Sequence, residues 1–220
     1  MKSSNSRIAS FLDFWGPIIF SILLYLGIRD LVAEARYIPS GSMLPTLKIN
    51  DRLLIEKITL PFRTIKRGDI VVFNSPYAFD HILSAGRNTP KYKCMIINFP
   101  LINLISGLSY PACDAYIKRV VAIGGDKVSI DKRGQVFING IIRNEPYISN
   151  YCIPKYERIR DCGLIDKTVP TGSLLVLGDN RDNSWDSRFW PGGPFLPESE
   201  IIGRAVWRFW PLNRFGKINP

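Results

Sequence analysis

The sequence predicts a mostly β fold: an antiparallel β-sheet domain with an extended β-hairpin subdomain, preceded by one N-terminal transmembrane helix. Three observations carry that prediction. Short runs rich in Val, Ile, Leu and Phe, among them DIVVF (69–73) and SLLVL (173–177), recur between turn residues such as Lys66-Arg67-Gly68, as strands do. Convincing soluble helices are almost absent. The one long apolar stretch lies near the N-terminus, where FWGPIIFSILLYLGI (14–28) carries no charge in 15 residues.

Composition narrows the class. With 46% hydrophobic and 22% charged residues, a chain of 220 residues has enough apolar surface for one sizeable core and is not a disordered segment. The net charge of +10, from 29 basic and 19 acidic residues, suits nucleic acid or an anionic membrane surface, and the hydrophobic N-terminus favours the membrane. The four cysteines, Cys94, Cys113, Cys152 and Cys162, lack CxxC spacing, and one histidine adds too few ligands for a zinc site. No metal and no cofactor is expected.

Taken in order, residues 1–13 are short, polar and weakly basic, and residues 14–33 are expected to form the anchor. At about 1.5 Å per residue the charge-free stretch alone falls short of a hydrocarbon layer of roughly 30 Å, so Leu31, Val32 and Ala33 must extend it, with Arg29 and Asp30 near the interface. A removable signal peptide is the rival reading, because Ala33-Glu34-Ala35 has the small-x-small form of a cleavage site. Lys2 and Arg7 precede the span while Arg29, Asp30, Glu34 and Arg36 cancel after it, which places the N-terminus in the cytoplasm and residues 36–220 outside.

The loop YIPSGSMLPTL (37–47) puts Ser40 and Ser42 on either side of Gly41 between two prolines. Such a segment is held rather than flexible, and holding a hydroxyl still is what a nucleophile needs. DRLLIE (51–56) and DIVVF follow as strands. Residues 77–114 form an insert whose broken apolar run MIINFPLINLISGL either dips into a membrane surface or packs in a core. The insert also holds His81, the only histidine and hence the sole candidate for a Ser-His pair. Residues 116–123 are apolar on both sides, as in a strand buried on both faces, yet contain Lys118; Gly124-Gly125-Asp126 turns the chain. VSIDKRGQVFINGII (128–142) reads as a hairpin or meander within a β-hairpin subdomain over 129–171. Within it, Cys152 and Cys162 either close a hairpin tip by a disulfide or remain free thiols. Ser129-Ile-Asp-Lys132 fits an S-x-x-K pattern but runs from a strand into a turn instead of opening a helix, and is set aside. The last strands are 173–177 and 201–210. The C-terminal WRFWPLNRF suits a final core strand with alternate exposure, a membrane interface or, formally, stacking on nucleic acid.

Four motifs in this order, the 37–47 loop, GDIVVF (68–73), YIKRVVAIGGDKV (116–128) and GDNRDNSWDSR (178–188), closely resemble those of type I signal peptidases, membrane-bound serine proteases that remove leader peptides from exported proteins. The resemblance spans roughly residues 38–205. It implies Ser42 as nucleophile, Lys118 as general base, Ser184 as the group that orients the lysine, and Ser40 with the Ser42 N–H as oxyanion donors. It further implies Ile38, Pro39, Met43, Tyr116 and Ile117 as the lining of small substrate pockets, and Asp179, Arg181, Asp186 and Arg188 as structural support. A lysine base must be made neutral: at an ordinary pKa of about 10.4, only about one in a thousand is neutral near pH 7.5, and an apolar surround lowers that value. The implied substrates are exported precursors with small residues before the cut, in the Ala-x-Ala manner. The implied setting is the bacterial cytoplasmic membrane, crossed once, with lipids and precursors as partners and no nucleic acid. Two other classes compete: a membrane-tethered β-module that binds exported peptides without cutting them, and a Ser-Lys autoprotease controlling transcription, which would carry a DNA-reading helix-turn-helix where this chain has an apolar span.

Overall fold

Twelve short strands are set out by alternating or continuous burial along the chain, in a computed structural model that describes residues 3–84, 114–149, 151–152, 162 and 165–218. They are β1 (Ala33–Tyr37), β2 (Arg52–Glu56), β3 (Ile70–Asn74), β4 (Ala115–Ile123), β5 (Lys127–Ile130), β6 (Val136–Ile138), β7 (Ile141–Ile142), β8 (Ile165–Thr168), β9 (Ser173–Leu177), β10 (Leu196–Pro197), β11 (Ile201–Trp210) and β12 (Gly216–Lys217). Every pairing is antiparallel. The large sheet runs β1-β2-β11-β3-β4-β9-β10 with β12 added to β11, and a small sheet runs β7-β6-β5-β8.

The apolar run of β3 is explained by its position between β11 and β4, with a core on each face. Ile70 and Val72 enter one core with Ile38, Met43, Leu47, Leu53 and Ile55, while Val71 and Phe73 enter another with Val120, Leu174, Val176 and Trp190. The residues of β9 divide in the same way: Leu175 and Leu177 join Val128, Ile130, Val136 and Ile165 in the core that fastens the small sheet to the large one. The turn between β6 and β7 has positive φ at both Asn139 (53°) and Gly140 (80°), which is what a two-residue Asn-Gly hairpin requires. Cys152 and Cys162 are joined as a disulfide, with Cα atoms 6.1 Å apart, which decides between the two readings of that pair. Cys94, Cys113 and the apolar run 95–108 lie outside the described residues.

The N-terminal segment differs from expectation. Helix α1 (Ser3–Gly27) is followed by a π turn, Ile28–Val32, and Ala33 already belongs to β1. Among the described residues no helix is long and apolar enough to cross a membrane. The first half of α1 carries Ser3, Ser4, Asn5, Ser6, Arg7, Ser10 and Asp13, and its apolar half stops at Gly27, so Leu31–Ala33 do not extend it. The small-x-small segment Ala33-Glu34-Ala35 is built into β1, where buried Glu34 pairs with Lys57 at 2.9 Å. A short helix, α2 (Pro76–Phe79), which was not expected, opens the insert behind the capping oxygen of Ser75.

The C-terminal run is a strand and turn with its arginines turned into the protein. Arg214 donates to both carboxylate oxygens of buried Asp51, at 2.7 and 2.9 Å, and Arg208 and Arg214 each donate to the Thr46 carbonyl at 3.2 Å. Trp207 and Trp210, three residues apart on β11, and Phe215 beyond it stay exposed, so the end of the strand does not keep a strict alternation. These contacts clamp the chain that leaves the serine loop. Asp51→Ala strips Arg214 and the Lys48 N–H of their acceptor, and is expected to lower the unfolding free energy by about 1–3 kcal/mol in urea titration. An unchanged midpoint would show that the clamp adds nothing to stability.

Candidate active site

The serine loop is closed at its base by two backbone hydrogen bonds, Ile38 N–H to the Asp51 carbonyl and Asn50 N–H to the Ile38 carbonyl, both 2.9 Å. Inside it the Leu47 N–H reaches the Met43 carbonyl at 2.9 Å, and the fully buried side chains of Met43 and Leu47 anchor it to the core. From the opposite side Asn180 holds it twice: its N–H donates to the Ser42 carbonyl and its Nδ2 to the Gly41 carbonyl, each at 3.1 Å. Ser42 therefore presents its hydroxyl from a backbone fixed on both sides.

Lys118 comes from β4, opposite Val71 of β3. Its Nζ donates to Ser42 Oγ and to the Ile117 carbonyl, both at 2.9 Å, and both Lys118 and Ser42 are buried. Burial pushes the Lys118 amine down from its ordinary 10.5 to about 8; Asp186 and Asp179 pull it back up, and Arg188 adds to the lowering. A large fraction is then neutral at mildly alkaline pH, and a neutral amine can accept the Ser42 proton. Ser40 Oγ lies 3.4 Å from Ser42 Oγ.

Ser184 is placed differently from what the resemblance implies. Its buried Oγ makes no hydrogen bond among the described residues, so the bond to Lys118 is not formed. It lies near enough to help hold Asp186 charged, but outside full hydrogen-bond geometry. Gly178 explains the tight fit: a Cβ there would come within 2.2 Å of Ser184 Oγ and 2.5 Å of the Ser42 carbonyl.

Two buried ion pairs flank the amine, and a third, Arg181–Glu145, braces the same loop further off. Asp186 takes a bidentate pair from Arg188 at 2.8 and 2.9 Å and the Gly178 N–H at 2.9 Å; burial pushes its carboxyl up, but these partners outweigh that and hold it below the usual range. Asp179 is paired by Arg119, with two bonds of 2.8 Å. Arg181 pairs with Glu145 at 2.6 Å and also donates to the Gly134 and Gly178 carbonyls. Asp179 and Arg181 belong to the motif that carries the family resemblance, whereas Arg119 and Glu145 are assigned no role by it. Arg119 had a signal, a second charge inside an apolar strand; Glu145 had none.

A groove of about 650 Å³ runs past Ser42 and is lined by Ile38, Pro39, Ser40, Tyr116, Ile117 and Trp185. Met43 is not on its wall but under the loop, in the core. Trp185, which sequence reasoning assigned no role, stacks on Tyr77 and tilts against Tyr116, with centroid distances of 5.9 Å in both cases. Pairing of β4 with β9 begins at Arg119, so Ala115–Lys118 leave one strand edge open beside the groove. His81 is exposed in the turn after α2 and does not line the groove. Among the described residues no group of three or more His, Cys, Asp or Glu side chains is placed to hold a metal ion.

A serine hydroxyl held against a buried amine, at a groove with an open strand edge, brings together the elements a serine hydrolase uses. The sequence pattern of the family described as signal peptidase, peptidase S26, matches residues 12–210. Signal peptidase I of Leptolyngbya laminosa is 43% identical over 200 residues, covering 91% of this chain and 80% of that protein. Probable signal peptidase I-2 of Synechocystis sp. is 40% identical over 209 residues, covering 95% and 78%. A solved signal peptidase I from Enterococcus faecalis aligns over 66% of this chain and 98% of that one, at 21% identity and a TM-score of 0.38, too loose a superposition to carry a fold argument. The chain belongs to the S26 family of signal peptidases. It is a serine endopeptidase that removes signal peptides from exported precursor proteins.

The lysine carries a stability cost with a defined sign. Its folded pKa lies below its unfolded one, so between pH 8 and 10.5 the unfolded chain binds more protons and stability rises with pH. Lys118→Met removes the buried charge and is expected to stabilise the fold at pH 7 by about 3 kcal/mol, a gap that narrows as pH approaches 10.5. Parallel urea titrations across that range measure it, and a constant gap would contradict the lowered pKa.

Proposed function

We propose that cleavage uses Ser42 as nucleophile and Lys118 as general base, and that the cut follows small residues in the Ala-x-Ala manner. The observation that carries this reading is the 2.9 Å contact between Lys118 Nζ and Ser42 Oγ, out of water. Neutral Lys118 takes the Ser42 proton as Oγ attacks the scissile carbonyl. The oxyanion is received by Ser40 Oγ and the Ser42 N–H, and the Lys118 ammonium returns its proton to the departing amine. Water, deprotonated by the same amine, then hydrolyses the ester and frees Ser42. The precursor lies extended against the open edge of Ala115–Lys118, and Ile38, Pro39, Ile117 and the Tyr116–Trp185 pair leave shallow space that favours small side chains.

The membrane assignment rests on α1 and on charge. Phe14, Ile18, Ile19, Phe20, Leu23 and Leu24 are exposed along α1, and the chain carries a net charge of +10. With Lys2 and Arg7 ahead of the helix, α1 holds the chain to the bacterial cytoplasmic membrane with its N-terminus inside. Residues 36–220 form the protease domain outside, with 77–114 as an insert and 129–171 as the hairpin subdomain. The Cys152–Cys162 disulfide fits an oxidising compartment. The full chain is expected in the membrane fraction after a high-salt wash; release by salt would leave only surface charge as its attachment.

The test of the chemistry is cleavage of a precursor with product termini read by mass spectrometry. Ser42→Ala, Lys118→Met and Lys118→Arg are each expected to lose at least about a thousandfold in turnover while keeping native circular dichroism, since guanidinium does not give up its proton here. Ser40→Ala should lose about 100- to 1000-fold through one oxyanion donor. Wild-type activity should rise with pH through about 8, the value set by burial of the amine, and His81→Ala should leave that profile in place. A folded Lys118→Met that still cleaves, or a dead His81→Ala, would replace the lysine base with histidine.

A further inference from the structure

We propose that Tyr147 is a positioning residue of this site: its ring seats on the Arg119 guanidinium and keeps the Arg119–Asp179 ion pair closed beside Lys118 and Ser42. The inference rests on the reading of Lys118 as the base. Tyr147 lies in the irregular segment after β7, on the small-sheet side of the molecule, and its ring centroid is 3.9 Å from Arg119 Cζ. The edge of that guanidinium is already committed. Nε and Nη2 each donate to Asp179 at 2.8 Å, Nη1 to the Gly68 carbonyl at 2.9 Å, and Nη2 again to Thr46 Oγ1 at 3.4 Å. Its flat face has no donors, and an aromatic ring is the side chain suited to covering it without disturbing those bonds.

The contact reaches the reacting atoms in three steps. Arg119 is the chain neighbour of Lys118 and holds Asp179. Asp179 precedes Asn180, whose N–H and side chain fix the Ser42 and Gly41 carbonyls. The Tyr147 hydroxyl donates to Glu145 Oε1 at 2.8 Å, the same oxygen that pairs with buried Arg181, so the ring is itself held in place through that ion pair. The charges facing Lys118 are Asp186, Asp179 and Arg188; those facing Tyr147 are Glu145, Arg119 and Arg181. Without the ring, water reaches the Arg119 face, the pair loosens, and a less neutralised Asp179 favours the protonated amine. The acid limb of the activity profile then moves to higher pH.

The experiment is the pH dependence of kcat/KM on a signal-peptide precursor for full-length wild type, Tyr147→Phe and Tyr147→Leu, with Lys118→Met as control. Wild type should show an acid limb near 8. Tyr147→Leu should move that limb up by about half a pH unit or more and lower kcat near neutral pH by roughly threefold or more, with KM little changed. Tyr147→Phe keeps the ring over Arg119 and should restore the wild-type limb despite losing its bond to Glu145. An unmoved limb in Tyr147→Leu, even with reduced thermal stability, would overturn the proposal, as would a Tyr147→Phe profile shifted as far as that of Leu. If Tyr147→Leu does not fold, Tyr147→Met is measured by the same criteria. A folded Lys118→Met that cleaves defeats the base assignment itself, whereas a wild-type limb that depends on Lys118 but not on Tyr147 defeats only this inference.

Discussion

An amine buried within hydrogen-bond reach of a serine hydroxyl is the constraint on which the rest of this structure depends. Lys118 must lose enough hydration to become neutral, and yet the loop that carries Ser42 needs acceptors, turns and buried polar groups close by. Any uncompensated carboxylate in that neighbourhood would favour the ammonium and defeat the arrangement. Two carboxylates are present, Asp179 and Asp186, and each is met by an arginine in bidentate geometry. Arginine suits this task because it keeps its charge at any relevant pH and matches both oxygens at once. Buried ion pairs are weak contributors to net stability, so their value here lies in keeping the field at Lys118 low while the loops stay fixed.

The sheet supplies what the ion pairs cannot. Lys118 sits on β4 opposite Val71 of β3, one residue before the pairing with β9 begins, so its backbone is held by strand pairing on one edge and by the paired Arg119 that follows it. Ser42 is brought up separately by a loop zipped at Ile38, Asn50 and Asp51 and weighted by Met43 and Leu47. The two residues are 76 positions apart, and neither the loop nor the strand makes a site alone. Gly178 closes the far side of the serine loop: its lack of a side chain lets Ser184 and the Ser42 carbonyl pack against one backbone.

How much of this could be read from residues alone follows from the range of each interaction. Strands such as β3 and the Asn139-Gly140 hairpin declare themselves locally, through runs of apolar residues and a turn dipeptide. The serine loop and Lys118 were legible as a held hydroxyl and a charge in an apolar strand, and the family resemblance joined them. The pairing of Arg119 with Asp179 was not, because 60 positions separate them and nothing in either neighbourhood names the other. The end of α1 was misplaced because Leu31, Val32 and Ala33 are as apolar as a helix continuation would be; the π turn and strand that claim them are set by pairing with β2. The C-terminal arginines illustrate the same limit. Interleaved with aromatics they suit a surface, and only the position of Asp51 and Thr46 in space turns them inward.

The small sheet gains a role from these contacts that its distance in sequence from Ser42 does not advertise. The Cys152–Cys162 disulfide lies against the Arg188 guanidinium, whose Nη1 is 3.2 Å from Cys162 Sγ, and Arg188 is the partner of Asp186. Arg181 reaches across to Glu145 and the Gly134 carbonyl on the same side. The loop that clamps Ser42 is thus tied to the small sheet by two arginines and packed against it through a third at Tyr147. Each tie is a planar cation whose hydrogen bonds run in fixed directions, so a displacement of the small sheet would be felt as a rotation of the groups around Lys118. The groups that hold Ser42 and face Lys118 are in this way fastened to the small-sheet side of the molecule through Arg119, Arg181 and Arg188.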